Sequence, residues 1–346
     1  MDLVRTVAIA LVILVHATFF PYRIPGPGIT SMDVVNWFSS DVYAAFGYVG
    51  VPLFVLLAGA LLLDPAKAEE PLRAFFKKRW NRIGIPFIVW TIVYFLWSFE
   101  VDHTPITLYN ISKGLANGSY AHLWFLYLLV GLYAVTPMLR VLVKHLDRRL
   151  FGLLLVLWFA GTLAPSFINT FAGPDFNFNP VMFVFTGWVG FFLLGIYLVK
   201  VNMKRSTIIG LGVFGMLGSI LGDWALTAAA GEKYTGYFHN YMSFGIIIGS
   251  AAIFLLLLSF PPAKIESHSK FNRALHWVSQ NTLPIYLIHI IVIQTLTFGP
   301  FFGVWLNNIL FVPLVDAPAF AVIVFTVSCA LVYGLKKIPY MKKLIG

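Results

Sequence analysis

Ten long apolar segments constrain the fold of this 346-residue sequence more than any other feature. An α-helix needs about 20 mostly apolar residues to cross the roughly 30 Å hydrocarbon core of a bilayer. The segments are continuous apolar runs and not short alternating strands, so they favour helices over a membrane barrel. We therefore predict an all-α, polytopic integral membrane protein with about ten transmembrane helices. The predicted segments are residues 3–20, 48–64, 84–101, 122–141, 150–166, 181–200, 206–229, 241–260, 280–299 and 319–336.

The composition excludes most soluble classes of protein. Hydrophobic residues make up 59% of the chain and charged residues only 11%, whereas a soluble domain carries about 25% charged residues. The single cysteine, Cys329, excludes an internal disulfide and a cysteine-based zinc cluster. The basic residues are too few and too scattered to form a groove that follows nucleic-acid phosphates. No linker divides the chain, and we expect one transmembrane domain over residues 1–346 without a separate soluble domain.

The distribution of basic residues predicts the orientation of the chain, because cytoplasmic loops of membrane proteins accumulate lysine and arginine. Alternate segments between the predicted helices hold 20 basic residues, at 65–83, 140–149, 200–205, 264–273 and 336–343. The intervening loops hold only three, which are Arg23, Lys113 and Lys233. This alternation places both termini in the cytoplasm and explains most of the net charge of +10. We expect a multi-pass protein of the cell membrane, that is, the plasma or inner membrane.

The first predicted helix carries two ionisable residues, Arg5 and His16, that lie 11 positions apart. Eleven residues turn an α-helix by about 20° more than three full turns and advance it by about 16.5 Å, so both side chains lie on one face. Ionisable residues inside a membrane are costly and therefore indicate a functional site. In the alternative interpretation, Arg5 pairs with Asp2 near the lipid headgroups and His16 is a packing residue. That alternative is weaker for the pair than for Arg5 alone, because histidine is a poor filler of an apolar helix.

A basic cluster, Lys77-Lys78-Arg79-Trp80-Asn81-Arg82, precedes the third predicted helix. Arg79 and Arg82 are three positions apart and share a helical face. Two neighbouring guanidinium groups suit bidentate binding of phosphate, and Lys78 adds a further positive charge. The same residues also suit an ordinary cytoplasmic anchor, and on local sequence alone the anchor is favoured.

A third group opens the fourth predicted helix, where His122 and Trp124 suit the binding of an acceptor sugar from the external side. Trp124 is equally explained by the aromatic belt that membrane proteins carry at the bilayer surface. Asp223 and His289 are also embedded, and the simpler interpretations are that Asp223 snorkels to the surface and His289 packs in the core. The sequence holds no His-Glu-x-x-His motif and no phosphate-binding Gly-Lys-Ser/Thr loop, and we expect no bound metal.

Several of these residues together resemble the acyltransferase-3 family, the polytopic O-acyltransferases that modify cell-surface sugars. The motifs that carry the resemblance are Asp2, Arg5, Ala8 and His16, then Gly50-Val-Pro-Leu-Phe54 with Ala58-Gly59, then Arg79-x-x-Arg82, then His122-Leu-Trp-Phe-Leu126 with Tyr133 and Pro137, and last Ile285-Tyr-Leu-Ile-His289. Two positions depart from the usual family pattern, namely Ala58 in place of serine and Pro284 in place of glycine. The most similar branch of the family acetylates glycan precursors such as lipid-linked oligosaccharides.

The resemblance implies an acyltransferase that takes an acyl group, which we expect to be acetyl, from cytosolic acyl-CoA (acetyl-CoA). The acceptor is then a hydroxyl of an extracytoplasmic or lipid-linked glycan at the lipid bilayer. The implied catalytic residues are His16, as general base, and Arg5. Residues implied to bind the phosphates of the donor are Arg5, Lys78, Arg79 and Arg82. His122 and Trp124 are implied to bind the acceptor, and Asp41 and Asp223 are both candidates to orient His16.

A different class of function is also compatible with embedded charges. In a transporter or flippase for an acyl group or a glycan intermediate, Arg5, His16 and Asp223 would form a substrate or proton pathway. Such proteins usually consist of two similar halves, and the sequence holds no convincing internal repeat. The sequence leaves open whether the group is acetyl or succinyl, which hydroxyl receives it, and whether His16 forms an acyl-imidazole.

Overall fold

A computed structural model describes residues 1–18, 28, 30–171, 187–260, 269–298 and 312–346 of the chain. Within these ranges the chain consists of helices and connecting turns and contains no β-strand, which confirms the all-α prediction for the described residues. The α-helices are α1 (Asp2–Ala17), α2 (Ser31–Tyr48), α3 (Gly50–Leu62), α4 (Leu72–Arg79), α5 (Ile85–Glu100), α6 (Leu108–Asn117), α7 (Trp124–His145), α8 (Arg148–Phe171), α9 (Trp188–Leu198), α10 (Arg205–Ala230), α11 (Phe244–Ser259), α12 (Lys270–Gln280), α13 (Thr282–Phe298), α14 (Pro313–Leu335) and α15 (Met341–Ile345). Parts of the predicted segments at 19–20, 181–186 and 299, and the charged residues Arg23 and Lys264, lie outside the described residues.

Within the described residues, six helical stretches are long and apolar enough to cross a membrane, which supports a membrane protein. These stretches are Ser31–Leu62, Leu72–Glu100, Ala121–His145, Arg205–Ala230, Tyr237–Ser259 and Pro313–Leu335. Two shorter apolar helices accompany them, at Trp188–Leu198 and Thr282–Thr297. A helix overlaps each of the ten predicted segments. The number of about ten crossings and the cytoplasmic position of both termini remain predictions.

The structure corrects the second predicted segment, because the helical stretch extends back to Ser31. Helix α2 begins with a reciprocal cap, in which the Asp33 amide donates to Thr30 Oγ1 at 3.2 Å and the Thr30 amide donates to Asp33 Oδ2 at 2.9 Å. The middle of α2 carries buried polar residues, among them Ser40 and Asp41. These residues lower the hydropathy of the stretch, which is why the apolar pattern alone does not predict it.

Helices α4 and α5 belong to one continuous helical stretch, because the residues between them form a π-helical turn at Trp80–Gly84. At Gly84 a Cβ atom would lie 2.6 Å from the Trp80 ring, so the turn depends on the missing side chain. Arg79 and Arg82, which were expected just ahead of the third predicted helix, therefore lie in the same continuous helical stretch, Leu72–Glu100. Single π-helical turns inside α-helices are frequent at functional sites.

Helix α1 lies inside the bundle and packs against α2, α3, α12, α13 and α14. Its side chains Val4, Ala8 and Ile9 are fully buried. Gly50 lets α3 approach closely, since a Cβ atom there would lie 2.8 Å from the carbonyl oxygen of Ala8. Small residues allow such close contact between membrane helices. The packing fixes α1, and with it the positions of its two ionisable side chains.

Helices α3 and α9 are in still closer contact, through one glycine from each helix. A Cβ atom on Gly59 would overlap the carbonyl oxygen of Phe192, and a Cβ atom on Gly195 would overlap the carbonyl oxygen of Leu56. The backbones therefore touch directly, as in other pairs of membrane helices with small residues at the interface. This contact holds α3 in place against its neighbours.

A buried arginine fixes the segment that joins α3 to α4. Arg140 on α7 is 2% exposed and donates to the Leu62 carbonyl at 2.6 Å, to the Lys67 carbonyl at 3.1 Å and to Glu70 at 3.0 Å. Glu70 also accepts from Lys78 at 2.8 Å. The hydrogen bond from Lys78, reinforced by Arg140, holds the pKa of Glu70 below its ordinary value. Arg140 was counted among the basic residues of the 140–149 segment, and the structure shows that it also holds the segment between α3 and α4 in place.

Candidate functional site

A cavity of about 190 Å³ lies between α1, α3, α4, α7, α13 and the π-helical turn. Most of its wall is apolar and consists of Phe54, Leu57, Ala58, Leu61, Leu62, Ile83, Phe125, Leu129 and Leu283. The remaining lining residues are Arg5, Arg79, Arg82, Tyr133, Thr282 and Tyr286. The cavity therefore combines three permanent cations with a mostly apolar interior.

The three arginines differ in how their charge is balanced. Arg5 lies 3.5 Å from Asp2 and donates to Ser279 at 3.2 Å. Arg79 stacks 4.5 Å from the centre of a phenylalanine ring, that of Phe75. Within the described residues, neither Arg79 nor Arg82 forms an ion pair with a carboxylate. The cavity therefore carries net positive charge, which suits an anionic ligand.

Lys78, the fourth cation that the sequence suggested for donor binding, does not line the cavity. Its side chain is 64% exposed and pairs with Glu70 at 2.8 Å. Glu70 in turn bonds to Arg140, so Lys78 is part of the network that fixes the α3–α4 segment. The structure brings together Arg5, Arg79 and Arg82 but not Lys78.

Three histidines from distant segments meet beyond the inner end of the cavity. His16 lies near the end of α1, His122 in the 3-10 turn that precedes α7, and His289 in α13. The ring centres of His16 and His289 are 5.2 Å apart, and those of His122 and His289 are 5.5 Å apart. His122 is 3% exposed and His289 is fully buried. We call these three residues the histidine cluster.

The hydrogen bonds indicate which ring nitrogens of the cluster are available. His289 Nδ1 lies 2.5 Å from the carbonyl oxygen of Tyr286, and because a carbonyl only accepts, Nδ1 carries the proton. His289 Nε2 therefore presents a lone pair, with no hydrogen-bond partner among the described residues. Both ring nitrogens of His122 also lack a partner in the described part of the chain. Buried polar atoms are seldom left unpaired in proteins, so these nitrogens are available to a substrate.

Tyr286 connects the cavity with the histidine cluster. Its side chain lines the cavity, and its hydroxyl donates to the carbonyl oxygen of His122. The ring also contacts the rings of His122 and His289, at 5.4 and 5.6 Å between centres. Phe125, another cavity residue, packs against Tyr286 at 5.4 Å. One layer of side chains thus separates the cavity from the histidines.

Arg5 and His16 occupy the two ends of this arrangement. Arg5 lines the cavity, while His16 contacts His289 in the cluster. Their separation of 11 residues corresponds to about 16.5 Å along α1. Helix α1 therefore runs from the positively charged part of the cavity to the cluster.

Trp124 belongs to a separate aromatic group at the start of α7. Its ring lies 5.4 Å from Trp188 and 5.6 Å from Tyr241, and Tyr241 lies 5.0 Å from Tyr48. We call Tyr48, Trp124, Trp188 and Tyr241 the aromatic group. His122, which the sequence pairs with Trp124 as an acceptor-binding residue, is buried and contacts His289; its part in acceptor binding stays a prediction.

Asp41 and Asp223, the two candidates to orient His16, lie together with a third residue, His239. Asp223 is fully buried and accepts hydrogen bonds from the amides of Gly236 at 3.0 Å and Phe238 at 3.3 Å. The interpretation that Asp223 snorkels to the surface is therefore wrong. Asp41 lies 3.3 Å from the imidazole of His239.

Sequence reasoning missed Tyr286 and the part that His289 takes in the cluster. A signal was present, because Tyr286 and His289 are three positions apart in the motif Ile285-Tyr-Leu-Ile-His289 and share a helical face. His289 was interpreted as a packing residue, since no single segment reveals that three histidines converge. His239 was missed for the same reason.

The comparisons with known proteins identify the family. The model of the acyltransferase-3 family, described as an acyltransferase domain, matches residues 1–333. Neither the curated proteins nor the solved structures yield a match. The matched region contains every motif on which the resemblance rests, so that prediction is confirmed. With its apolar helices, the chain therefore belongs to the acyltransferase-3 family of membrane acyltransferases.

Proposed function

We propose that the protein transfers an acetyl group from cytosolic acetyl-CoA to a hydroxyl of an extracytoplasmic or lipid-linked glycan. One observation carries the proposal: a cavity with three arginines ends one layer of side chains from three clustered histidines, of which His122 and His289 are buried. This arrangement suits an anionic donor with a long arm, and it places groups capable of proton transfer near the end of that arm. The setting is the plasma or inner membrane, where a glycan precursor on a lipid carrier reaches the protein from the external side.

The donor binds from the side of the arginines. Arg79 and Arg82 have no carboxylate partner within the described residues and are free to bind phosphate groups bidentately. Arg5 adds charge at the start of α1. The arginines and the mostly apolar remainder of the cavity suit a donor whose anionic nucleotide end lies at the arginines and whose acyl-bearing arm enters the cavity. Where the arginines hold the phosphates of the donor, the apolar remainder of the wall favours a neutral acetyl group over a charged succinyl group.

The histidine cluster performs the proton transfer. His16 accepts the proton of the acceptor hydroxyl, because imidazole has an unperturbed pKa close to neutral. The acceptor oxygen attacks the thioester carbonyl carbon, an ester forms, and the carbon–sulfur bond breaks. Coenzyme A leaves as a thiol after taking the proton. His122 and His289 orient the reacting groups, with the free Nε2 of His289 as a hydrogen-bond acceptor.

The acceptor approaches from the aromatic group. Trp124 and its neighbours present partly exposed aromatic rings, which suit the apolar faces of sugars. Trp124 is two residues from His122, so a sugar bound at the aromatic group lies close to the cluster. The donor and the acceptor thus reach the histidines from opposite sides.

The test is an acyl-transfer assay with purified protein in detergent, acetyl-CoA as donor and a glycan acceptor. His16→Ala should abolish transfer. Arg79→Ala should raise KM for acetyl-CoA by about 10- to 150-fold, because a charge-assisted hydrogen bond contributes about 1.5–3 kcal/mol. Arg73→Ala, an exposed arginine of the same basic segment that does not line the cavity, is the matched control and should behave as wild type.

Two results would contradict the proposal. If His16→Ala turns over acetyl-CoA like wild type, the histidine cluster is not the reaction site. If the wild-type protein does not bind acyl-CoA, a transporter or flippase becomes the better assignment. Mass spectrometry of surface glycans from cells with and without the gene then identifies the transferred group and its acceptor.

A further inference from the structure

A second group of buried ionisable residues has no part in the proposed reaction. Asp41 comes from α2, Asp223 from α10, and His239 from the 3-10 turn Tyr237–His239 that follows α10. One oxygen or nitrogen atom from each residue lies within 4.8 Å of the other two. We call these three residues the carboxylate–histidine cluster.

This cluster lies beyond His16, on the side away from Arg5. Gly47 of α2 packs against Val15, one residue before His16. Asp41 lies six residues before Gly47 in α2, and six residues correspond to about 9 Å of helix. The ring of His239 stacks on Tyr48 at 6.1 Å, so the cluster adjoins the aromatic group.

Two atoms of the cluster are buried without a hydrogen-bond partner. Asp41 is 4% exposed and the side chain of His239 is 7% exposed. Asp41 Oδ2 and His239 Nε2 have no partner among the described residues. His239 Nε2 lies 3.3 Å from Asp41 Oδ1 but does not form a hydrogen bond with it, so the contact leaves Nε2 unsatisfied. Asp223, by contrast, accepts hydrogen bonds from two backbone amides.

The charge of the cluster also requires a cation. Two carboxylates lie close together in the interior, and in the described part of the chain no lysine or arginine pairs with either of them. Burying a carboxylate without compensation is costly, so positive charge must enter the cluster. A proton shared between the carboxylates, a protonated His239 and a metal ion can each supply it. A metal ion bound among the three residues engages both unpartnered atoms, Asp41 Oδ2 and His239 Nε2, at once.

We propose that Asp41, Asp223 and His239 bind one divalent transition-metal cation of the Zn²⁺ type. Two carboxylate oxygens and one imidazole nitrogen are a common ligand set for such ions, and they cancel its double charge. A tetrahedral shell with distances of about 2.1 Å places its ligand atoms about 3.4 Å apart, so side-chain shifts of about 1 Å close the site. The ion joins α2 to α10 and its following turn, beside the aromatic group. The sequence predicted no metal, because the three ligands come from distant segments and form no motif.

The test measures metal content and thermal stability, and so does not depend on activity. The full-length protein is purified through a tag without histidines, stripped with chelator, loaded with Zn²⁺ and freed of excess metal. Elemental analysis should find about one Zn²⁺ per chain, and saturating Zn²⁺ should raise Tm by about 2–4 °C. Co²⁺ in place of Zn²⁺ should give the visible absorption bands of a low-symmetry site. Asp41→Asn and His239→Gln should each lose the ion and the shift in Tm.

Asp102→Asn, which replaces an exposed carboxylate elsewhere, is the control and should retain the ion. The proposal is overturned if wild type keeps no more metal than the two cluster variants and its Tm does not respond to Zn²⁺. Protonation of the carboxylates or of His239 then supplies the positive charge. If a cluster variant fails to fold, the metal content and the Co²⁺ spectrum of wild type alone decide the question, and a blank in both refutes the site.

Discussion

Replacing Tyr286 with phenylalanine removes the hydroxyl that donates to the His122 carbonyl and leaves the ring in the wall of the cavity. A neutral hydrogen bond contributes about 0.5–1.5 kcal/mol, and a buried carbonyl left without its donor costs about 1–3 kcal/mol. We expect the substitution to raise the activation free energy by about 1–2 kcal/mol, because His122 is then oriented less well. This increase lowers kcat by roughly 5- to 30-fold. KM for acetyl-CoA should change by less than about twofold, because the three arginines are unaffected.

The assay is a set of initial rates over a range of acetyl-CoA concentrations, with Tm measured on the same preparations. Tyr43→Phe is the matched control, since Tyr43 also donates to a backbone carbonyl, that of Leu314 at 2.7 Å, but does not line the cavity. Equal kcat values for the two variants would refute the view that Tyr286 orients the histidines. A large rise in KM with unchanged kcat would show instead that the hydroxyl binds the donor.

Two further predictions concern stability. Gly59→Ala should destabilise the protein by at least about 1–3 kcal/mol, because the Cβ atom of the alanine would overlap the carbonyl of Phe192. Gly131→Ala is the control and should not lower Tm, because Gly131 has open space around it. Equal Tm values for the two variants would contradict the close contact between α3 and α9. The lowered pKa of Glu70 contributes stability that is present above the ordinary glutamate pKa of about 4.3 and is lost as pH falls through the folded-state value. Glu70→Gln should therefore flatten the fall in Tm between about pH 6 and pH 3.5, and an unchanged slope would refute this contribution.

Local rules of helix geometry and hydropathy reach part of the fold and of the site. The spacing of Arg5 and His16 depends only on the pitch of one helix, and their placement on one face follows from it. The apolar runs likewise predict where helices occur, because each must satisfy its own backbone in the bilayer. The three-residue spacing of Arg79 and Arg82 predicts from sequence alone that two of the cavity's cations lie side by side on one helical face.

The contacts between helices escape such rules. The sequence pairs His122 with Trp124, whereas the 3-10 turn before α7 directs His122 inward to His289, a contact that no local pattern predicts. Helix α2 was missed because buried polar residues such as Asp41 break the apolar pattern. The sequence reveals that an ionisable residue in an apolar helix is unusual. The contacts of that residue follow only from the packing of segments that are far apart in the chain.

The layer of side chains between the cavity and the histidine cluster also bears on permeability. Under the proposed function the protein has access to both sides of a membrane that maintains ion gradients, and it must not let protons leak through. Phe125, Tyr286 and His289 lie between the cavity and His16, so the proposed acyl arm would enter only by local displacement of side chains. Truncating Phe125 and Tyr286 together should open a proton leak, measurable in liposomes. On this proposal, the tightness of the bilayer and the transfer reaction depend on the same few side chains.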